Sequence, residues 1–453
     1  MEPAQSELTI FKDDSYLLEY KDQILSRKAK FESTLEAIDK TEGGLIAFAE
    51  SGYKNFGILF GDTGVMVREW LPLAKEVFLV GDFNEWNLNS HGLSKNEYGV
   101  WEICLLKNKD GSNKLRHEEK IKLYLRNDQD QWVYRNLAYS HTLAQHPETM
   151  VFDSLVYNPE TTYQFKHAAP PRPKNLKIYE AHVGMASEEA RVATYTEFRV
   201  NILPRIARAG YNCVQLMAIM EHAYYGSFGY HVNNFFAVSS RSGTPDDLKA
   251  MIDEAHRLGI TVLMDLVHSH ASSNALDGIG DMDGSNYQYF HAPPKGDHAA
   301  WDSKIFNYEK YEVQRFLVSN IRYWLAEYKF DGFRFDGITS MLYVHHGIGV
   351  GFSGGYHEYF GENVDQDAIN YLMMAIKTAK LTNPDCILIA EDVSGMPLLC
   401  RSQEEGGIGF DYRLAMAVPD MVRIIFLIVI VDQTFERKHG RSMGHGPDRA
   451  YSD

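Results

Sequence analysis

The chain has 453 residues, with 45 Lys+Arg against 61 Asp+Glu, a formal net charge of −16, and 45% hydrophobic against 23% charged residues. So much apolar chain buries a sizeable core, which excludes disorder as the dominant state, and the length allows about two to four domains. The acidic balance argues against broad binding to nucleic acid or anionic membranes, because phosphate contacts need excess Lys and Arg.

A neutral or weakly charged substrate fits better. The 27 Tyr, 24 Phe and 6 Trp suit large cores or stacking on sugar faces, and composition does not choose between these. Cys104, Cys213, Cys386 and Cys400 form no CxxC pair. This pattern points to a reducing, cytoplasmic setting and not to a disulfide framework or zinc site. Met1–Ile10 carries acids and no apolar run, so no secretory signal is expected. The longest apolar run, Ile424–Val431, is far short of the ~20 residues that a membrane-spanning helix needs.

In chain order, residues 14–40 read as one helix, with Leu17, Tyr20, Ile24 and Leu25 at helical spacing. Gly43-Gly44 ends the pattern. Short strands follow at Gly64–Trp70, Glu76–Val80, Val100–Leu105 and Lys120–Leu125, separated by turn residues, as in a small β-sandwich. Residues 166–174 are Pro-rich and read as a hinge. Beyond them strands alternate with helices, at Lys177–Glu180, Thr196–Ala209, Asn212–Ala218, Pro245–Leu258, Thr261–Leu266, Tyr311–Tyr328, Gly332–Phe335, Asp367–Leu381 and Cys386–Ala390. Pro204 interrupts the first of these helices. The alternation predicts a parallel sheet of five strands, hence an α/β fold and a partial (β/α)8 TIM-type barrel. The domain reading is a helical segment over 1–50, a sandwich over 51–165, an incomplete barrel over 166–420 and a divergent tail over 421–453.

Ionisable residues cluster where the apolar strands end, which is the active face of a barrel. Asp336 and Glu391 are the sharpest pair. Carboxylates on neighbouring strand ends can face each other across a sugar, one attacking and one protonating the leaving oxygen. Arg334 shares a strand face with Asp336 and would hold it ionised. A buried ion pair without chemistry explains the same spacing about equally well. His268 and His270 could ligate a metal with Asp265, but hydrogen bonding outweighs that reading, so no metal and no cofactor are expected.

Together these motifs closely resemble the α-amylase family, glycoside hydrolase family 13. Its signature regions occur in order as Asp265 to His270, Gly332 to Asp336 and Glu391-Asp392. Gln215 to His222, Ser227 to Tyr230, Thr339 to Tyr343 and His345 to Gly347 resemble, more narrowly, the members that branch glycogen. The resemblance spans about residues 14–420. It implies that Asp336 is the nucleophile, Glu391 the acid/base and Arg334 the residue that orients Asp336, with Asp265, His270 and Tyr230 around the reacting glucose. It implies cleavage of an α-1,4-glucan such as glycogen and transfer to form an α-1,6 branch, without a cofactor. Core packing is the competing role for Tyr230.

The sandwich resembles a family-48-like carbohydrate-binding module through Trp70-Leu71-Pro72 and Gly81 to Asn87. The likeness implies glucan contacts at Trp70, Leu71, Pro72, Trp86, Tyr98 and Lys122, with Glu312 and Arg315 as a further surface contact. Asn84 and Asn87 could bond sugar hydroxyls beside Trp86. Core packing competes for Trp70, and a solvated helix face for Glu312 and Arg315. Other glycogen-metabolism enzymes are a further class of expected partner.

The likeness stops near Pro419-Asp420. The family has a third catalytic carboxylate, an Asp following a His, and no His-Asp pair follows Glu391 here. Asp432, in Val431-Asp432-Gln433, does not fill that place. Five strands cannot close an eight-stranded barrel, so the expectation is a truncated chain with impaired activity. A non-catalytic glucan-binding protein is the main alternative, and a hydrolase or debranching relative a third.

Overall fold

A computed structural model describes residues 8–414. Ile424–Val431, Asp432 and the whole expected tail, 421–453, lie outside the described residues.

The first helical stretch divides in two. Ser15–Tyr20 forms a 3₁₀ turn, with the Asp14 side chain accepting the Tyr16 N–H, and the α-helix runs from Lys21 to Glu42 before Gly43 ends it. The helix Leu45–Tyr53 then packs against Tyr311–Glu327 at close quarters. The Tyr53 N–H donates to Ser319 Oγ at 2.7 Å, and a Cβ on Gly52 would lie 2.4 Å from that oxygen. Gly52→Ala therefore overpacks a buried contact and should cost about 2 kcal/mol. A shift in the urea midpoint reads this out, and an unchanged midpoint would contradict it.

The sandwich has two antiparallel sheets. One orders Gly57–Phe60, Gly64–Trp70, Val100–Leu106 and Ser94–Lys95. The other is built on Glu76–Gly81 and Lys120–Arg126, with Trp132–Arg135, Phe152–Leu155 and Thr142–Gln145. Alternate residues such as Val65, Val67, Val77, Leu79, Leu123 and Leu125 are buried, as the two-residue period of a strand requires.

The Pro-rich segment is no free hinge. The backbone N–H groups of Lys166 and His167 both donate to the Asp253 carboxylate, and Arg172 pairs with Asp411 at 3.0 Å. These contacts strap it to the outside of the sheet.

The parallel sheet has six strands, one more than expected, at Ile178–Ala181, Cys213–Leu216, Thr261–Leu266, Gly332–Phe335, Ile387–Glu391 and Tyr412–Leu414. Their spatial order follows the chain, which is the winding of a barrel and not of a doubly wound sheet. The sixth is three exposed residues with Arg413 at its centre, so it carries no apolar run. Cys213, Leu263, Ile387 and Ile389 form a small inner cluster, while the opposite face joins the main core under the helices. The helix expected over Thr196–Ala209 is broken. A π-helical turn at Phe198–Ile202 precedes the helix Leu203–Arg208, placing Pro204 in a first turn, where its missing N–H is tolerated.

Candidate active site

The register brings the charged residues together. Asp265 lies directly opposite Arg334 on the neighbouring strand, and alternation sends both side chains to the same face. Arg334 Nη1 contacts Asp265 Oδ2 at 2.7 Å and Asp336 Oδ1 at 3.0 Å, and its Nη2 contacts Glu391 Oε2 at 3.1 Å. One buried guanidinium thus serves three carboxylates. The Gly337 N–H also donates to Glu391 Oε2, at 2.7 Å.

Tyr230 donates its hydroxyl proton to Asp265 Oδ2 at 2.7 Å. It is aimed by a turn with Gly229 at φ +95°, where a Cβ would lie 1.9 Å from the Ala218 carbonyl oxygen. His270 Nε2 sits 2.9 Å from the Tyr230 carbonyl oxygen and its Nδ1 2.9 Å from Ser269 Oγ. A carbonyl only accepts, so Nε2 carries the proton and Nδ1 accepts from the hydroxyl.

Burial pushes the Asp265 carboxyl up to about 7, against the opposing pull of Arg334 and the Tyr230 bond. Burial also raises Asp336 and Glu391, and Arg334 opposes the rise in both. Their mutual contact lowers Asp336 and raises Glu391. The contact thus biases the pair toward a charged Asp336 and a protonated Glu391. This division suits an attacking carboxylate and a proton donor.

His268 is removed from any metal role. Its Nε2 faces Asn320 Oδ1 at 2.9 Å and its Nδ1 faces the Tyr371 hydroxyl, so both nitrogens are used inside the core. Among the described residues no cluster of three His, Cys, Asp or Glu side chains could hold a metal ion. Asp392 is fully buried and organises the loop after the fifth strand through Thr339, Ser394 and Gly395. Arg413, from the sixth strand, reaches its Oδ2 at 3.1 Å.

The glucan positions expected on the sandwich separate into different places. Trp86 and Lys122 line one open cavity of ≈ 450 Å³ with Tyr134, Val151 and Leu276. Trp86 is half-buried, its Nε1 donates to Asp82, and Lys122 is held at 3.2 Å from Asp153. Tyr98 stands 72% exposed on a turn and is not among the residues lining that cavity. Trp70 is half-buried and packs edge-on against Tyr289. Pro72 is half-buried, and its carbonyl accepts from Lys95. Leu71 corrects the expectation: at 0% exposure it belongs to the core, where a sugar cannot reach it. Asn84 is likewise spent on its own turn, accepting the Gly81 N–H and donating to the Leu79 carbonyl.

Glu312 and Arg315 also depart from expectation. Arg315 is bonded to Glu312, to Glu42 and to the Ser51 hydroxyl, and its guanidinium lies over the Phe48 and Tyr311 rings. Arg315, held also by Glu312, clamps the N-terminal helices to the barrel. Its partners Glu42, Phe48 and Ser51 lie more than 260 residues away in sequence, so no local signal announced them.

A network of buried titratable groups shapes stability. Burial lifts Glu69 to about 8 and Glu221 to about 7, as it lifts Asp265, and lowers His141, His222, His270, His291 and His298 to about 4. Raised acids favour the folded state at low pH, and that contribution is lost as pH rises through about 7 to 8. Lowered histidines contribute stability that is full above about 6.5 and lost as pH falls toward 4. The melting temperature should therefore peak near about pH 6.5 and fall on both sides. Scanning calorimetry at pH 5, 6.5 and 8 checks this, and a monotonic trend would contradict it.

A barrel-wound parallel sheet whose strand ends present two carboxylates around one arginine, preceded by a sandwich module, defines an α-amylase-type fold. Residues 203–402 match the family profile "Alpha amylase, catalytic domain", and residues 55–140 match "Carbohydrate-binding module 48 (Isoamylase N-terminal domain)". The chain is similar to the α-amylase family over its barrel and to a carbohydrate-binding module over its sandwich. Curated relatives named 1,4-alpha-glucan-branching enzyme include one from Yarrowia lipolytica, 52% identical over 91% of this chain and 62% of its own length. Another, from Equus caballus, is 50% identical over 90% of this chain and 58% of its own. The Arabidopsis thaliana 1,4-alpha-glucan-branching enzyme 2-2, chloroplastic/amyloplastic, is 51% identical over 91% of this chain and 51% of its own. The chain thus spans between about half and two thirds of the length of these relatives. Among solved structures, a putative α-amylase from Salmonella typhimurium superposes with a TM-score of 0.59 at 21% identity, over 80% of this chain and 53% of that one. A group B streptococcal pullulanase in complex with maltotetraose gives 0.58 at 21% identity, over 75% and 46%. Both show a shared fold.

Proposed function

We propose that this chain acts on α-1,4-glucan as a branching enzyme. It would cleave a glucan chain by attack of Asp336, with Glu391 protonating the leaving oxygen, and pass the chain to a sugar hydroxyl to make an α-1,6 link. Arg334 would hold Asp336 ionised, and Asp265, His270 and Tyr230 would bind the glucose being transferred. The observation that carries this reading is the single guanidinium shared by Asp336 and Glu391, beside the Tyr230–Asp265 bond. A cytoplasmic setting belongs to the same proposal, supported by four unpaired cysteines. Among the described residues no helix is long and apolar enough to cross a membrane.

The cavity at Trp86 and Lys122 would grip glycogen apart from the reaction centre, with the indole against a sugar face. Trp86→Ala should lower glycogen co-sedimentation about tenfold. Retention of the parent's binding would remove the cavity from the account.

A second reading is glucan binding without turnover, which the cavity at Trp86 and Lys122 would support apart from the reaction centre. Iodine absorbance of amylose, measured beside glycogen co-sedimentation, separates the two. Loss of the amylose–iodine band with new α-1,6 links supports branching, whereas binding with an unchanged band supports the second reading.

A further inference from the structure

Trp301 sits in the excursion between the third and fourth strands, just before Ser303–Lys304, a short antiparallel strand. It is a large aromatic left 39% exposed. Its ring stacks on His298 with centroids 3.9 Å apart and planes 17° apart. His298 is itself buried, and neither of its ring nitrogens has a hydrogen-bond partner among the described residues. Burying an imidazole without partners is costly. The return here is a rigid backing for one face of the indole. The next residue, Asp302, holds a left-handed backbone with φ +47°, a conformation that side chains adopt at a cost and that recurs where a neighbour must be aimed.

The position of the ring gives it a use. Its centroid lies 5.0 Å from that of His270, beside the Tyr230–Asp265 pair. Its Cη2 lies 3.1 Å from where a Cβ of Gly337 would stand, so any side chain there would press the ring outward. Gly337 follows Asp336 and donates its N–H to Glu391. The exposed indole therefore abuts the residue that links the two reacting carboxylates.

We propose that Trp301, backed by His298, is a platform for a glucosyl ring of the glucan bound beside the two reacting carboxylates. The site takes a neutral α-1,4-linked glucosyl unit through its apolar face. This inference rests on the proposed action on α-glucan and adds to it a residue that binds substrate without entering the chemistry.

The test is calorimetric titration of maltoheptaose into the full chain carrying Trp86→Ala, which removes the module's cavity as a competing site, and Asp336→Asn, which stops turnover. In this background Trp301→Ala should weaken maltoheptaose about tenfold and Trp301→Phe about threefold, because a smaller ring keeps part of the platform. Melting temperature, followed in parallel, should move little for Trp301→Phe. Affinity should rise from maltose to maltotetraose in the background chain and stay flat in Trp301→Ala. If maltoheptaose binds the background chain and both Trp301 variants equally, the platform is refuted and the glucan reading stands. If the background chain binds no maltoheptaose, the glucan reading of the reaction centre fails and the platform fails with it.

Discussion

Arg334→Met should destabilise the chain by about 3–5 kcal/mol at pH 8 and by clearly less at pH 5. The guanidinium is buried and meets Asp265, Asp336 and Glu391 at 2.7, 3.0 and 3.1 Å. Removing it leaves three acids side by side with no counter-charge, in a place where burial already lifts each of them. Each folded-state pKa would rise further. A carboxyl raised on folding contributes stability that is present at low pH and lost as pH climbs through the folded value, so the deficit must grow between pH 5 and 8. Arg334→Lys should recover part of the loss, since one ammonium cannot reach three carboxylates in the fork geometry of a guanidinium. Urea denaturation at both pH values measures this. An equal loss at pH 5 and 8 would mean that packing, and not charge, is what Arg334 supplies.

The second large effect separates the two carboxylates by chemistry. Asp336→Asn should reduce glucan transfer by about five orders of magnitude, the scale seen when a covalent nucleophile is removed. Glu391→Gln should cost about 10²–10⁴ on amylose, where the leaving sugar oxygen needs a proton. On an α-glucosyl fluoride the leaving fluoride needs no such proton, and Glu391→Gln should cost far less in the bond-breaking step. Asp336→Asn should stay silent on both substrates. If the two variants lose equally on the fluoride, the assigned division of roles is wrong.

The sequence carried much of this site because the fold places chemistry where apolar runs stop. Asp265, Asp336 and Glu391 each end a buried strand or follow it directly, so apolar patterning points to them. Proximity to Arg334 then follows from parallel pairing and alternation alone. What stayed hidden depended on long-range contacts or had no apolar run. Tyr412–Leu414 pairs as a sixth strand although all three residues are exposed, and nothing in its composition marks it. Leu71 sits between two residues that keep some exposure, Trp70 and Pro72, yet points into the core, a distinction a three-residue motif does not make. Arg315 looked like part of a helix face until Glu42 and Ser51 folded against it. Trp301, the proposed platform, carries little mark in the sequence. Its only local signal is a lone tryptophan in a polar loop, and its meaning comes from His298 beneath it and Gly337 beside it.

The central claim is that Asp336 attacks the anomeric carbon. Its most direct test is trapping with 5-fluoro-α-D-glucosyl fluoride, whose fluoride leaves without protonation and whose C5 fluorine slows breakdown of the sugar ester. Mass spectrometry of the digested protein should find one fluoroglucosyl group, on the peptide bearing Asp336, and Asp336→Asn should abolish it. An unlabelled protein, or a label on Glu391 or Asp265 instead, would contradict the account.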